Sequence, residues 1–197
     1  CLQIKLGNNI NQSLGEKYVP LPRRLQYNKI IIVIHWMIAL LFASLFLSDS
    51  LRSFADKGSE MRVFWLNLHA WFGVSVFALT LARLAVKLAT QAPAPVYDDG
   101  IMKTLLRAVH VILYLITLLV PISGYLRFAG KGRELTIAGD AIPSIIDKSE
   151  WLYDIGKAAH GEVMQILVLT VIGGHIAAAL YHHFIMKDQT MSRIKLN

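Results

Sequence analysis

Apolar residues gather into four long runs, and charged segments separate them. The runs cover Ile30–Leu47, Val63–Ala82, Ala108–Leu126 and Val163–Met186, the last extended upstream to about Asp154. Each approaches the ~20 residues needed to cross a ~30 Å hydrocarbon core. Inside lipid a run must satisfy its own backbone donors and acceptors, so each predicts an α-helix. The pattern predicts an all-α membrane protein with a four-transmembrane-helix bundle in residues 30–186. An N-terminal tail (1–29) and a C-terminal tail (187–197) flank it.

The distribution of Lys and Arg orients the bundle. Segments 1–29, 83–107 and 187–197 together carry twelve basic residues against four acidic ones. Segments 48–62 and 127–157 carry eight of each. The positive-inside rule places both termini and the second loop in the cytoplasm. Topology thus accounts for the net charge of +7 and the pI of 9.6 without a nucleic-acid partner. The mean hydropathy of +0.48 and the 17% charged residues agree with a lipid environment.

One cysteine, Cys1, excludes a disulfide, a zinc–thiolate cluster or an iron–sulfur site built from this chain alone. No C-x-x-C-H occurs, so a covalently attached c-type haem is excluded. Residues 1–29 contain no apolar h-region and do not read as a signal peptide. Loop two carries the turn signals Pro93, Pro95 and Gly100. Loop three (127–157) is the longest, a length that marks functional loops.

Seven histidines occur, most of them in or beside the apolar runs. An ionisable side chain within a membrane helix is costly and signals function. His35 lies near the cytoplasmic start of helix one, and His69 near the periplasmic start of helix two. Helix four carries His160 and, fifteen residues later, His175. On one straight helix they would stand about 22 Å apart along the axis. By level, His69 matches His160 and His35 matches His175. Judged by depth alone, His182 matches His35 better than His175 does. Two imidazole pairs at two depths suit axial ligation of two non-covalently bound haems. His110 opens helix three without a partner of its own; packing, a propionate hydrogen bond or a quinone contact would each suit it. His183 reads as interfacial, and Met164 and Met186 as apolar filler.

Other residues would support such cofactors. Arg83 ends helix two on the cytoplasmic side, where it could meet a haem propionate or anchor the helix by snorkelling. Lys87 and Arg107 are weaker cases of the same kind. Gly73, one turn beyond His69, and the Gly173-Gly174 pair would leave room for a flat macrocycle. Pro121, with Ser123-Gly124, predicts a kink in helix three.

These residues resemble the bacterial cytochrome b561 family, the small four-helix di-haem type. The matching stretches are Tyr27-Asn28-Lys29-Ile30 through Ile34-His35-Trp36, Leu68-His69, Ala82-Arg83-Leu84, and His110 with Tyr114. Pro121-x-Ser123-Gly124-Tyr125 and His175 through His183 into Lys187-Asp188 complete them. The resemblance covers about residues 27 to 195. It implies two haem b groups, one held by His35 and His175 toward the cytoplasm, the other by His69 and His160 toward the periplasm. The spacing of the helix-four histidines is one residue longer than usual in the family, and Gly161 stands before Glu162.

The same resemblance implies a bacterial inner-membrane oxidoreductase that takes electrons from periplasmic superoxide and passes them to ubiquinone. Cations would attract the anion. Lys157 and Arg52 are the leading candidates, with Arg62, Arg127, Lys131 and Arg133 beside them. The alternative is a carrier: a cytochrome subunit serving a dehydrogenase, a hydrogenase or a periplasmic redox protein. A proton relay fits poorly, because no Asp or Glu is expected inside the helices and relays usually include carboxylates.

Overall fold

Asn28 opens the first helix, its side chain accepting the Ile30 N–H at 2.9 Å and so satisfying one of the donors every helix start leaves unpaired. Helix α1 follows (Lys29–Phe54). The computed structural model describes residues 26–91, 93, 100–137 and 139–196. Most of the expected N-terminal tail, and Pro95, therefore lie outside the described residues. Ser59 caps α2 (Glu60–Ala89) through the Arg62 N–H at 3.3 Å. Helix α3 (Ile101–Ala129) passes through Pro121 without ending there. Loop three then folds into an antiparallel hairpin of β1 (Leu135–Ile137) and β2 (Asp140–Ile142). Gly139, at φ 98°, makes its turn in a conformation that side chains disfavour. Helices α4 (Glu150–Ala159) and α5 (Glu162–Tyr181) complete the bundle.

Four spans are long and apolar enough to cross a membrane: α1, α2, α3, and residues 150–186 as the fourth. The helices overrun the apolar blocks at their polar ends. As a result Asp49 lies inside α1, contrary to the expectation of helices without carboxylates, and His110 lies about two and a half turns inside α3 rather than at its start. Among the described residues the hairpin is the one short β element beside the helices.

The fourth span is not one helix. His160 closes α4, its N–H reaching the Gly156 carbonyl at 2.8 Å. Gly161 is extended and serves as the N-cap of α5. The far end of α5 loosens into a π turn (His182–Met186), closed by Lys187 in the left-handed region at φ 51°.

Small residues bring the helices together, as is usual in membranes. At the α3–α4 crossing a Cβ on Gly156 would overlap the Arg127 backbone, and one on Gly130 would come within 2.7 Å of the Tyr153 nitrogen. Helix α1 packs along α2, α2 along α3, and α3 along α4. Helix α5 stands farther off, with α3 its main neighbour, and buries only Val168. Space therefore remains beside it. No atom would lie within 4 Å of a Cβ added at Gly73, Gly173 or Gly174.

The C-terminal segment returns to the start of α1. Trp36 donates its indole N–H to the Ile194 carbonyl at 2.9 Å, and Tyr27 N–H reaches the Arg193 carbonyl at 3.3 Å. A 3₁₀ turn (Met191–Ile194) shapes this strap. Asp188 anchors it, accepting the Thr190 N–H at 2.9 Å and facing His182 Nδ1 at 2.6 Å. Burial alone would raise the Asp188 pKa; the hydrogen bonds from Thr190 and His182 outweigh it and hold the carboxyl below its ordinary value.

Candidate haem-binding site

At the level of loops one and three, His69 of α2 faces His160 at the α4–α5 junction. Their ring centres are 6.2 Å apart and the planes cross at 81°. Toward the basic end, His35 of α1 faces His175 of α5 at 6.4 Å and 76°. Two imidazoles on opposite sides of one metal ion, each bonded at about 2 Å with its ring centre about 1 Å farther out, stand about 6 Å centre to centre. Both pairs have that separation.

The donor chemistry narrows the metal. Among the described residues no cluster of three or more His, Cys, Asp or Glu could hold an ion. A bare ion would therefore lack ligands, whereas an iron already held by a macrocycle needs only two. The open space beside Gly73, Gly173 and Gly174 is where a flat ring has room. A b-type haem fits these residues.

Both imidazoles of the first pair are oriented through Nδ1. His69 Nδ1 donates to the Leu45 carbonyl at 3.1 Å, and His160 Nδ1 to that of Val120 at 3.0 Å. Such partners fix the tautomer and leave Nε2 as the ligand atom. Gly124 completes the seat of His160, since a Cβ there would come within 2.9 Å of the ring Cε1. Arg127 holds the backbone, donating to the His160 carbonyl at 2.6 Å.

The basic end is more crowded. His110 also faces His175, at 6.2 Å and 81°, and donates Nδ1–H to the Leu106 carbonyl at 2.6 Å. Sequence alone left His110 without a partner; it is a neighbour of the second pair. His182 does not join this group. It is buried and engaged with Asp188. Arg83 donates to the Tyr114 hydroxyl at 3.1 Å, and its buried Nε has no hydrogen-bond partner among the described residues. Lys87 lies over the same tyrosine ring at 4.8 Å.

The candidate superoxide-attracting cations scatter. Arg52 pairs with Asp49 at 2.6 Å, which offsets its charge. Arg62 donates to the carbonyls of Arg52 and Ala55, both at 3.0 Å. Lys131 sits over the Tyr153 ring at 4.0 Å, and Lys157 is exposed in the last turn of α4. The hairpin stands on α2 nearby: Asn67 exchanges two 3.0 Å hydrogen bonds with the Thr136 backbone, and Trp71 adds a third to the Thr136 carbonyl at 2.9 Å.

The profile of prokaryotic cytochrome b561 matches residues 26–195, nearly the whole described chain. The chain belongs to the prokaryotic cytochrome b561 family. It is similar to "Cytochrome b561 homolog 1" of Escherichia coli (strain K12), at 26% identity over 170 residues, covering 86% of this chain and 96% of that one. It is similar to "Probable superoxide oxidase CybB" of Yersinia pestis, at 29% identity over 171 residues, covering 86% and 95%. "Cytochrome b561 homolog 2" of Escherichia coli (strain K12) is 30% identical over 131 residues, 65% of this chain and 69% of that one. Membership makes this cytochrome b561 a bacterial membrane protein that binds b-type haem and transfers electrons across its bundle.

Ser48, Ser123 and Gly124 are the contributors that sequence reasoning did not assign to the site. Ser48 lay just past the first apolar run, and Ser123-Gly124 read as part of a kink and of a family-like stretch, with no role toward a histidine.

Proposed function

We propose that this cytochrome b561 holds two haem b groups and carries electrons across the bacterial inner membrane, from periplasmic superoxide to ubiquinone. His69 and His160 would ligate the periplasmic-side iron, and His35 and His175 the cytoplasmic-side iron. The observation that carries this reading is the pair of facing imidazoles at two levels, 6.2 and 6.4 Å apart. The similarity to a protein named as a superoxide oxidase favours the donor.

Haem iron, when bound, supplies one-electron redox chemistry. The chain's own residues do the rest. The helices hold the imidazoles and keep water from the interior. Lys157, with Arg127 beside His160, draws the superoxide anion to the periplasmic end, whereas Arg52 is offset by Asp49. Arg83 and Lys87, both held on Tyr114, gather positive charge at the cytoplasmic end, where propionates need partners. His110 stands close enough to His175 to serve the cytoplasmic haem edge or the quinone.

The test adds superoxide to the purified, haem-loaded protein with a ubiquinone analogue present. Haem reduction is followed in the visible spectrum and quinol by chromatography. Rapid reduction and quinol formation, both abolished by superoxide dismutase, are expected. Haems that stay oxidised would leave the protein as a carrier for another redox partner.

A further inference from the structure

The two imidazoles of the periplasmic pair share a device that the cytoplasmic pair lacks. On α1, His69 Nδ1 lies 3.1 Å from the Leu45 carbonyl and 3.3 Å from Ser48 Oγ, while Ser48 Oγ donates to that same carbonyl at 2.9 Å. On α3, His160 Nδ1 lies 3.0 Å from the Val120 carbonyl and 3.4 Å from Ser123 Oγ, and Ser123 Oγ donates to that carbonyl at 2.8 Å. Each clamp is thus a carbonyl and the serine three residues later, closed into a triangle with an imidazole from another helix. Both serines are buried, at 1% and 7% exposure, so water does not compete.

The proton count fixes the chemistry. A serine hydroxyl has one hydrogen and two lone pairs. Its hydrogen is spent on the carbonyl at the shorter distance, so toward the ring it can only accept. The carbonyl can only accept as well. Both contacts therefore require the proton on Nδ1 and leave a bare lone pair on Nε2. Two acceptors offset from each other also restrict rotation of the ring, which a single carbonyl does less well. Among the described residues no serine is hydrogen-bonded to His35 or His175.

We infer that Ser48 and Ser123 are positioning residues that lock the His69 and His160 ring planes in their crossed orientation on the periplasmic-side iron. This rests on the proposed ligand assignment. Crossed imidazole planes donate equally into the two iron π orbitals, leave them nearly degenerate and give a strongly anisotropic ferric low-spin signal. Planes that relax toward parallel split those orbitals and reduce the anisotropy. The clamp is thereby readable by electron paramagnetic resonance, apart from any activity.

The experiment uses full-length protein in detergent, loaded with haem. His69→Ala and His175→Ala proteins, each expected to keep one haem, assign the two ferric signals. If His69→Ala keeps both haems, the ligand assignment itself fails, and that failure is separate from the one tested next. Ser48→Ala and Ser123→Ala are expected to lower the largest g value of the periplasmic haem and shift its midpoint potential, with the cytoplasmic signal unchanged. Loss of an outer partner typically costs about 10- to 100-fold in metal affinity, and these long contacts predict the low end. Ser48→Cys keeps the side-chain shape at a slightly larger size but replaces the hydroxyl with a weak thiol, so it should behave as the alanine variant does. Ser123→Thr keeps the hydroxyl and should behave as the wild type. Loss of the periplasmic haem alone also supports the clamp. Full occupancy with an unmoved periplasmic signal in the double alanine variant would overturn it, as would equal changes at both haems or the loss of both.

Discussion

Gly124 lies directly against the imidazole of His160: a methyl group there would approach the ring Cε1 to 2.9 Å and Nδ1 to 3.1 Å. These contacts are with the ring itself, which the carbonyl of Val120 holds at 3.0 Å. A ring so held has little freedom to yield. Gly124→Ala is therefore expected to push the imidazole off its carbonyl, at a cost of about 1 kcal/mol for the hydrogen bond and more for the displaced ligand atom. The protein should insert and fold, retain the cytoplasmic haem and lose most of the periplasmic one. Haem per chain, measured by the pyridine haemochrome method, checks this; full occupancy of both haems would contradict the close approach.

Gly73 makes the complementary case. A Cβ there meets no atom within 4 Å, so Gly73→Leu should cost the haem-free protein little. If that space belongs to a macrocycle, the same substitution blocks it. The expected result is near-normal expression and helicity of the apoprotein with markedly lower haem content. Unchanged haem content would place the macrocycle elsewhere.

The four membrane helices were legible because lipid forces each apolar run to be helical and to be about as long as the bilayer is thick. Helix ends were less so, since polar turns such as Ser48–Phe54 continue α1 beyond the hydrocarbon signal. The order of levels, together with the family resemblance, paired His35 with His175 and His69 with His160, and the rings of each pair do face each other. Depth alone favoured His182 over His175 as the partner of His35, a conflict that a straight fourth helix would escape only by protruding into the cytoplasm. The span instead breaks at Gly161 and ends in a π turn, and Asp188 takes up His182. The seat of His160 was not legible: Val120, Ser123 and Gly124 lie some 40 residues away in sequence, and only the α3–α4 crossing brings them to it.

Arg83 should tune the cytoplasmic haem. Its Nε is buried without a partner while an Nη donates to Tyr114, so part of the guanidinium is left for an anion that the described residues do not supply. Arg83→Leu removes a positive charge near the second histidine pair. A cation favours the more electron-rich ferrous state, so its removal is expected to lower the cytoplasmic midpoint potential by roughly a few tens of millivolts and weaken haem retention. Arg83→Lys should fall between, because it keeps the charge but loses the planar fork. Tyr114→Phe, which removes only a hydroxyl, should change the potential less than either. Redox titration of the cytoplasmic signal decides; equal potentials in wild type and Arg83→Leu would remove Arg83 from the site.

The C-terminal strap should open on acidification. Asp188 joins His182, Thr190 and the Lys187 turn, and beyond it the 3₁₀ turn delivers the Ile194 carbonyl to Trp36, the neighbour of His35. Its carboxyl lies below the ordinary value although burial opposes this, because hydrogen bonds from Thr190 and His182 favour the charged form. A carboxyl depressed on folding stabilises the strap above the unfolded pKa and loses that contribution as pH falls through the folded one. The strap should thus be intact at neutral pH and loosen only below the normal carboxylate range. Asp188→Asn should mimic the acid state at pH 7 and weaken the strap by about 1 kcal/mol. Limited proteolysis near residues 187–196, together with tryptophan fluorescence from Trp36, provides the measurement. The variant should be cut faster than wild type at neutral pH and lose the difference in acid. Equal cleavage of the two proteins at neutral pH would mean that the α1 contacts hold the strap without Asp188.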